Sequence, residues 1–181
     1  MTYYGAKEIA AAFRQVRSNT LQIANEIPED KYGFKPSPES RSIGQTLVHM
    51  ALGPGFQLHI QSNKINDLKL VNFPELMKGV VAEEARPRSK AETIAFLQAE
   101  GEKFATFVES LSDSFLSEQV AMPPGATPAT KSRFEMLLSP KEHEMHHRGQ
   151  LMTMQRMIGL TPHLTRQMNE RMAALMAQAQ K

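Results

Sequence analysis

A chain of 181 residues with 21 Lys and Arg against 19 Asp and Glu is close to neutral, at a formal charge of +2, and is long enough to bury the core of one domain. Its charges are interspersed, which argues against the basic face of a nucleic-acid binder; the lack of cysteine excludes disulfides, thiolate ligands and a cysteine nucleophile. No apolar run reaches the roughly 18 residues of a membrane span, and the N-terminal MTYYGAKEIAAAFRQ shows no basic segment leading into an apolar one, so a soluble, cytoplasmic protein is expected.

From Tyr4 to Ile27 the pattern is helical. Ile9, Phe13, Val16, Thr20 and Ile23 recur at spacings of three and four, with Lys7, Arg14 and Arg17 read as surface. Pro28 stops this helix, and the following residues 29–40, with two prolines and a glycine, read as loop. Ser42 and Gln45 form a capping box that opens a helix running to about Ser62. Ile43, Leu47, Met50 and Leu58 make one apolar face; Leu52, Phe56 and Ile60 make a second, which includes His49. Gly53-Pro54-Gly55 should kink this helix or open it locally, after which it resumes.

Residues 63–88 mix Asn, Lys, Pro and Gly with short apolar patches and read as a long connection with at most one helical turn. The charges at Glu83, Glu84 and from Arg86 to Lys90 read as solvated surface. Ser89 and Glu92 form a second capping box, starting a helix to about Ser110 whose apolar side holds Ile94, Leu97, Phe104, Phe107 and Val108. A proline-rich loop at 122–130 leads into a helix from about Ser132 to Gly159, expected to be continuous and bent at Pro140. Thr165 to Gln180 is an amphipathic helix with Met168, Met172, Leu175, Met176 and Ala179 on one stripe. Long helices with no evident strand imply an all-α bundle.

The centre of the Ser132–Gly159 helix, His143-Glu-Met-His146-His147-Arg-Gly-Gln150, carries three of the six histidines. At about 100° per residue, His143 and His147 share a stripe with Met136, Leu151, Met154 and Ile158, while Lys141, Glu144, Arg148, Gln155 and Arg156 fall opposite. Two imidazoles one turn apart on an apolar face can serve one metal ion. A third ligand must come from another inward face, and His49 fits because an unpartnered imidazole among apolar residues would be desolvated at a cost. His59 is one position off that face, His146 is rotated about 100° from His147, and His163 falls in a turn. Three neutral imidazoles suit zinc, nickel or ferrous iron and leave coordination positions open. Gln45, one turn before His49, reads as a capping residue first and a site residue second. The Glu144 of the HEMHH segment falls on the polar side, and no phosphate-binding glycine loop or serine elbow occurs.

Taken together, Tyr32-Gly-Phe-Lys-Pro-Ser-Pro-Glu-Ser-Arg-Ser42, then Ile43-Gly-Gln-Thr-Leu-Val-His49-Met, then His143-Glu-Met-His-His-Arg-Gly-Gln150 resemble the DinB-like (DinB/YfiT) superfamily over roughly residues 5–160. The resemblance implies an up-down-down-up four-helix bundle at about 4–160, followed by an amphipathic C-terminal extension at 161–181. It also implies a divalent metal on His49, His143 and His147, and frequent homodimerisation. Its known activities are transfer and isomerisation with a low-molecular-weight thiol, and some metal-dependent hydrolysis. The sequence thus points to a metal-dependent enzyme acting on a small molecule, as a thiol S-transferase or a hydrolase; the alternative is a non-catalytic metal-binding stress-response module.

Overall fold

The computed structural model describes residues 4–179. Four helices form the bundle: α1 (Ala6–Glu26), α2 (Ile43–Leu52), α5 (Lys90–Glu109) and α7 (Arg133–Met157). Helix α3 (Gly55–Ser62) prolongs α2, α4 (Phe73–Ala85) and α6 (Asp113–Ser117) lie in the connections, and α8 (His163–Ala179) follows the bundle. Each bundle helix begins where a cap can satisfy free N–H groups. The Ser42, Ser89 and Ser132 hydroxyls accept from the backbone N–H three residues on, and Gln45 and Glu92 return the bond to complete two boxes.

Both α1 and α2 pack on α5 and α7. Two buried clusters fix the directions. At one end, Ile23 and Ile27 from the end of α1 meet Ile43 and Leu47 from the start of α2, Leu97 from the first half of α5, and Leu151 and Met154 from late α7. At the other, Ile9 and Phe13 from early α1 meet Phe104 and Val108 from late α5 and Leu137 from early α7. Helices α1 and α7 therefore run one way and α2 and α5 the other, which is the up-down-down-up order. The apolar stripes read from the sequence are the faces that meet here.

Gly53 and Pro54 separate α2 from α3, and the helix resumes at Gly55, as the sequence suggested. Helix α7 runs through Pro140 without interruption, although proline has no N–H to donate to the carbonyl four residues back. It ends in a Schellman turn: Gly159 takes φ 84°, its N–H reaches the Arg156 carbonyl, and the Leu160 N–H reaches that of Gln155.

Other expectations fail. Residues 63–88 hold a helix of three turns, α4, capped by the Asn72 side chain. It was hidden because none of its residues is buried, so it lacks the apolar stripe by which helices are recognised. An antiparallel pair of short strands, β1 (Gln119–Ala121) and β2 (Thr130–Ser132), brackets the proline-rich loop. Arg17, read as surface, is 4 % exposed, and Glu144 and Gln155, assigned to the polar side of α7, are 1 % and 0 % exposed. His163 opens α8, buried, rather than sitting in a turn. The α8 stripe, by contrast, is exposed from Met168 to Met176. Gln180, where that helix was expected to end, and Lys181 lie outside the described residues.

Candidate metal centre

His49 comes from α2, one turn before its break at Gly53; His143 and His147 come from the middle of α7. The packing of α2 on α7 turns the three rings toward one point. His143 Nε2 lies 3.0 Å from His49 Nε2 and 3.1 Å from His147 Nε2. One ligand atom from each of the three residues lies within 4.8 Å of the others. His147 is buried and the other two are half-buried.

The far nitrogens show which lone pairs point inward. His49 Nδ1 is 2.5 Å from Glu84 Oε1 on α4, and a carboxylate can only accept, so Nδ1 carries the proton. His147 Nδ1 lies 2.8 Å from Gln150 Oε1, likewise as a donor to the amide oxygen. In their neutral forms both rings then present a lone pair at Nε2, beside the Nε2 of His143. One N–H at His143 can satisfy only one of these neighbours well. Burial, reinforced by the adjacent imidazoles of His147 and His49, pushes the His143 pKa down to about 4. Burial also lowers that of His147. Protons are thus disfavoured as the means of holding the lone pairs together.

A cation satisfies all three nitrogens at once. Two nitrogens each about 2.1 Å from one ion, at tetrahedral or octahedral angles, stand roughly 3.0–3.4 Å apart, and both measured separations fall in or beside that range. The Glu84–His49 and Gln150–His147 bonds fix ring orientation and tautomer in the manner usual for the surroundings of a metal-bound histidine. An all-nitrogen donor set excludes none of zinc, nickel or ferrous iron. These residues fit a divalent cation.

Gly53 also shapes the site. A Cβ there would stand 2.7 Å from His143 Nδ1, closer than packing allows, so the glycine that ends α2 also admits the His143 ring. Of the other sequence candidates, His59 and His163 lie outside the trio. His146 is exposed, and its Nε2 accepts from the Gln150 amide N–H at 3.1 Å. Gln45 is occupied in its capping box. Sequence reasoning put Glu84 on solvated surface, whereas its carboxylate is held against His49; the signal available was a carboxylate near the end of an unrecognised helix.

Two cavities share the trio as a wall. One, of about 710 Å³, is reached from His147 and Gln150 and bounded by the loop from Pro36 to Arg41, Thr46 and Thr153. The other, of about 340 Å³, is reached from His49 and His143 and bounded by Leu52, Phe56, Met77, Val80 and Pro140. Positions along α2 and α7 place the first toward the Ile43 end of the bundle and the second toward α3.

Comparison with known proteins agrees with this architecture. The model of the DinB family matches residues 2–180. The uncharacterized protein YjoA of Bacillus subtilis is 22% identical over 156 residues, which is 86% of this chain and 92% of that protein. In three dimensions the chain superposes on YjoA with a TM-score of 0.62 at 19% identity, covering 85% of this chain and 94% of YjoA. A DinB-like protein from Bacillus cereus matches at 0.67 and 14%, covering 89% and 97%. YfiT from Bacillus subtilis, described as a probable metal-dependent hydrolase with an unusual four-helix bundle topology, matches at 0.67 and 11%, covering 89% and 91%. At these identities the structural likeness establishes the fold.

Proposed function

We propose that this chain, which belongs to the DinB family, is a metal-dependent enzyme in which His49, His143 and His147 hold one divalent cation, zinc or nickel before ferrous iron. The observation that carries the reading is the convergence of the three Nε2 atoms, with Glu84 and Gln150 fixing the outer nitrogens of two rings. A cation held there supplies Lewis acidity, polarising an electrophile or lowering the pKa of a nucleophile brought to it. The chain does the rest. Glu84 and Gln150 keep two rings in the donating tautomer, Gly53 gives His143 room, and the cavities on either side admit small molecules to the trio.

Hydrolysis of a small molecule is the first assignment, supported by the description of YfiT. Transfer to a low-molecular-weight thiol is the second. The chain has no cysteine, so the thiol would be a co-substrate, and the pair of cavities gives room for two reactants. The proposal includes a homodimer. A non-catalytic metal-binding module is the rival, and it predicts coordination closed to added ligands.

The test is elemental analysis of protein purified without a metal-affinity resin, together with calorimetric titration of a small thiol into the metal-loaded form. About one equivalent of divalent metal in the native chain and none in His143→Ala, with the helical circular dichroism retained, is expected. Stoichiometric metal in His143→Ala would contradict the ligand assignment, and metal-loaded protein inert to every added ligand would favour the module.

A further inference from the structure

The two cavities beside the trio differ in chemistry. The larger sets hydroxyl, amide and charged groups, among them Ser40, Arg41, Thr46, Gln150 and Thr153, beside Pro36, Met154 and Met157. The smaller has a wall of Leu52, Phe56, Met77, Val80 and Pro140, and its only titratable groups are the rings of His49 and His143. Its apolar lining is incompletely covered. Leu52, Phe56 and Val80 are only partly buried and Met77 is 53 % exposed. A concave apolar surface left wet gains free energy when a hydrocarbon group covers it. Phe56 is held in place by stacking on Phe73 at 5.4 Å between centroids, so this wall is formed in advance. The opposite wall belongs to α4, which has no buried residue and is tied to the site through Glu84 and His49.

We propose that this smaller cavity is the subsite for an apolar arm of the substrate, which lies along Leu52, Phe56, Met77 and Val80 while the reacting group meets the trio and the hydrophilic part faces the larger cavity. The preferred substrates therefore carry a hydrocarbon substituent directly beside the bond that reacts. This rests on the metal-site reading above and adds to it an orientation and a substrate class. Val80 and Met77, from a helix that carries no ligand, are the specificity-determining residues.

Alkyl hydroxamates, which chelate divalent metals through the same head at every chain length, separate the two claims. Calorimetric titration of zinc-loaded protein with acetohydroxamate and its longer homologues to octanohydroxamate should show affinity rising about threefold to fourfold per added methylene over the first members, then levelling as the cavity fills. In Val80→Asp, with metal content measured alongside, the rise should vanish; in Val80→Leu it should persist and level earlier. Acetohydroxamate binding with a flat series overturns the subsite and leaves the cavity to a second copy of the chain or to no occupant, while the metal site stands. Failure of every hydroxamate to bind overturns the open metal site and the subsite with it.

Discussion

Helix α7 holds two polar clusters at consecutive residues, one buried and one partly buried, and they meet the same electrostatic demand in opposite ways. Glu144 faces α1, where Arg17 sits against it with Nε 2.9 Å from both carboxylate oxygens and Nη2 2.8 Å from one of them. Arg17 also donates to the Leu97 carbonyl of α5 and, at 3.0 Å, to the Met50 carbonyl of α2, so one side chain joins all four bundle helices. Gly101 makes way for it, since a Cβ there would fall 2.9 Å from Arg17 Nη1. One residue earlier, His143 faces α2 and meets two more nitrogen lone pairs with no positive side chain among them. The first cluster finds its cation in the sequence; the second, in the proposed reading, takes one from solution. A buried ion pair with its donors used is a structural tie, whereas three converging imidazole nitrogens fit a cation-binding site.

The largest effect is expected from opening the closed cluster. Arg17→Met leaves Glu144 charged and buried without a partner, and breaking such a pair costs about 3–5 kcal/mol, measured as a fall in the urea midpoint. Arg17→Met combined with Glu144→Leu should recover most of that loss, because an apolar pair of similar volume removes the orphaned charge. A double variant as unstable as the single one would show that Arg17 acts through the Leu97 and Met50 carbonyls instead.

This contrast also marks what the sequence could reveal. The trio was legible because two of its members lie one turn apart on an apolar stripe and the third lies amid apolar residues, all of it local information. Arg17 and Glu144 were misread as surface for the same reason. A charged residue on a helical wheel looks polar, and only tertiary packing shows that its partner lies 127 positions away. Glu84 was read as solvated surface because α4 buries nothing, so neither its helix nor its role leaves a periodic trace. The bundle itself was legible because stripes and serine caps both repeat along the chain.

The open cluster should prove more sensitive to its outer partners than to global stability. Glu84→Ala removes the acceptor that orients His49 and should weaken metal binding about 10-fold to 100-fold, read by competition with a chelator of known affinity. The urea midpoint should hardly move, since Glu84 lies on a helix with no buried residue. Unchanged metal affinity would mean that α2 alone positions His49.

Helix α8 poses an apolar version of the same demand. Met168, Met172, Leu175 and Met176 lie 45–59 % exposed on a helix anchored at its start by Arg166 on Glu26, with Oε1 at 2.6 Å. A stripe of this kind gains from a second copy. Ending the chain at Leu164 is therefore expected to lower the sedimentation coefficient from the value of the proposed dimer to that of a monomer at micromolar concentration, with the bundle's circular dichroism per residue kept. An unchanged sedimentation profile would show that α8 does not join two copies of the chain.

The smallest effect lies between the two clusters in kind, where a buried polar group is only partly satisfied. His163 is 1 % exposed, its Nδ1 has no partner, and its Nε2 stands 3.4 Å from Asn19 Oδ1. Burial lowers its pKa from 6.5, against a weaker opposing pull from Glu26. As pH falls below about 6.5 the unfolded chain takes up the proton first, so the stability present above that pH is lost until the folded-state pKa is reached, at no more than about 1.4 kcal/mol per pH unit. The lowered pKa values of His143 and His147 act in the same direction in metal-free protein, so the measurement is a difference: unfolding free energy of wild type minus His163→Gln, from pH 7.5 to 5. That difference should shift against the wild type as pH falls. A constant difference would show that the unfolded and folded chains protonate His163 alike, and that its burial is relieved by a motion of the α8 anchor.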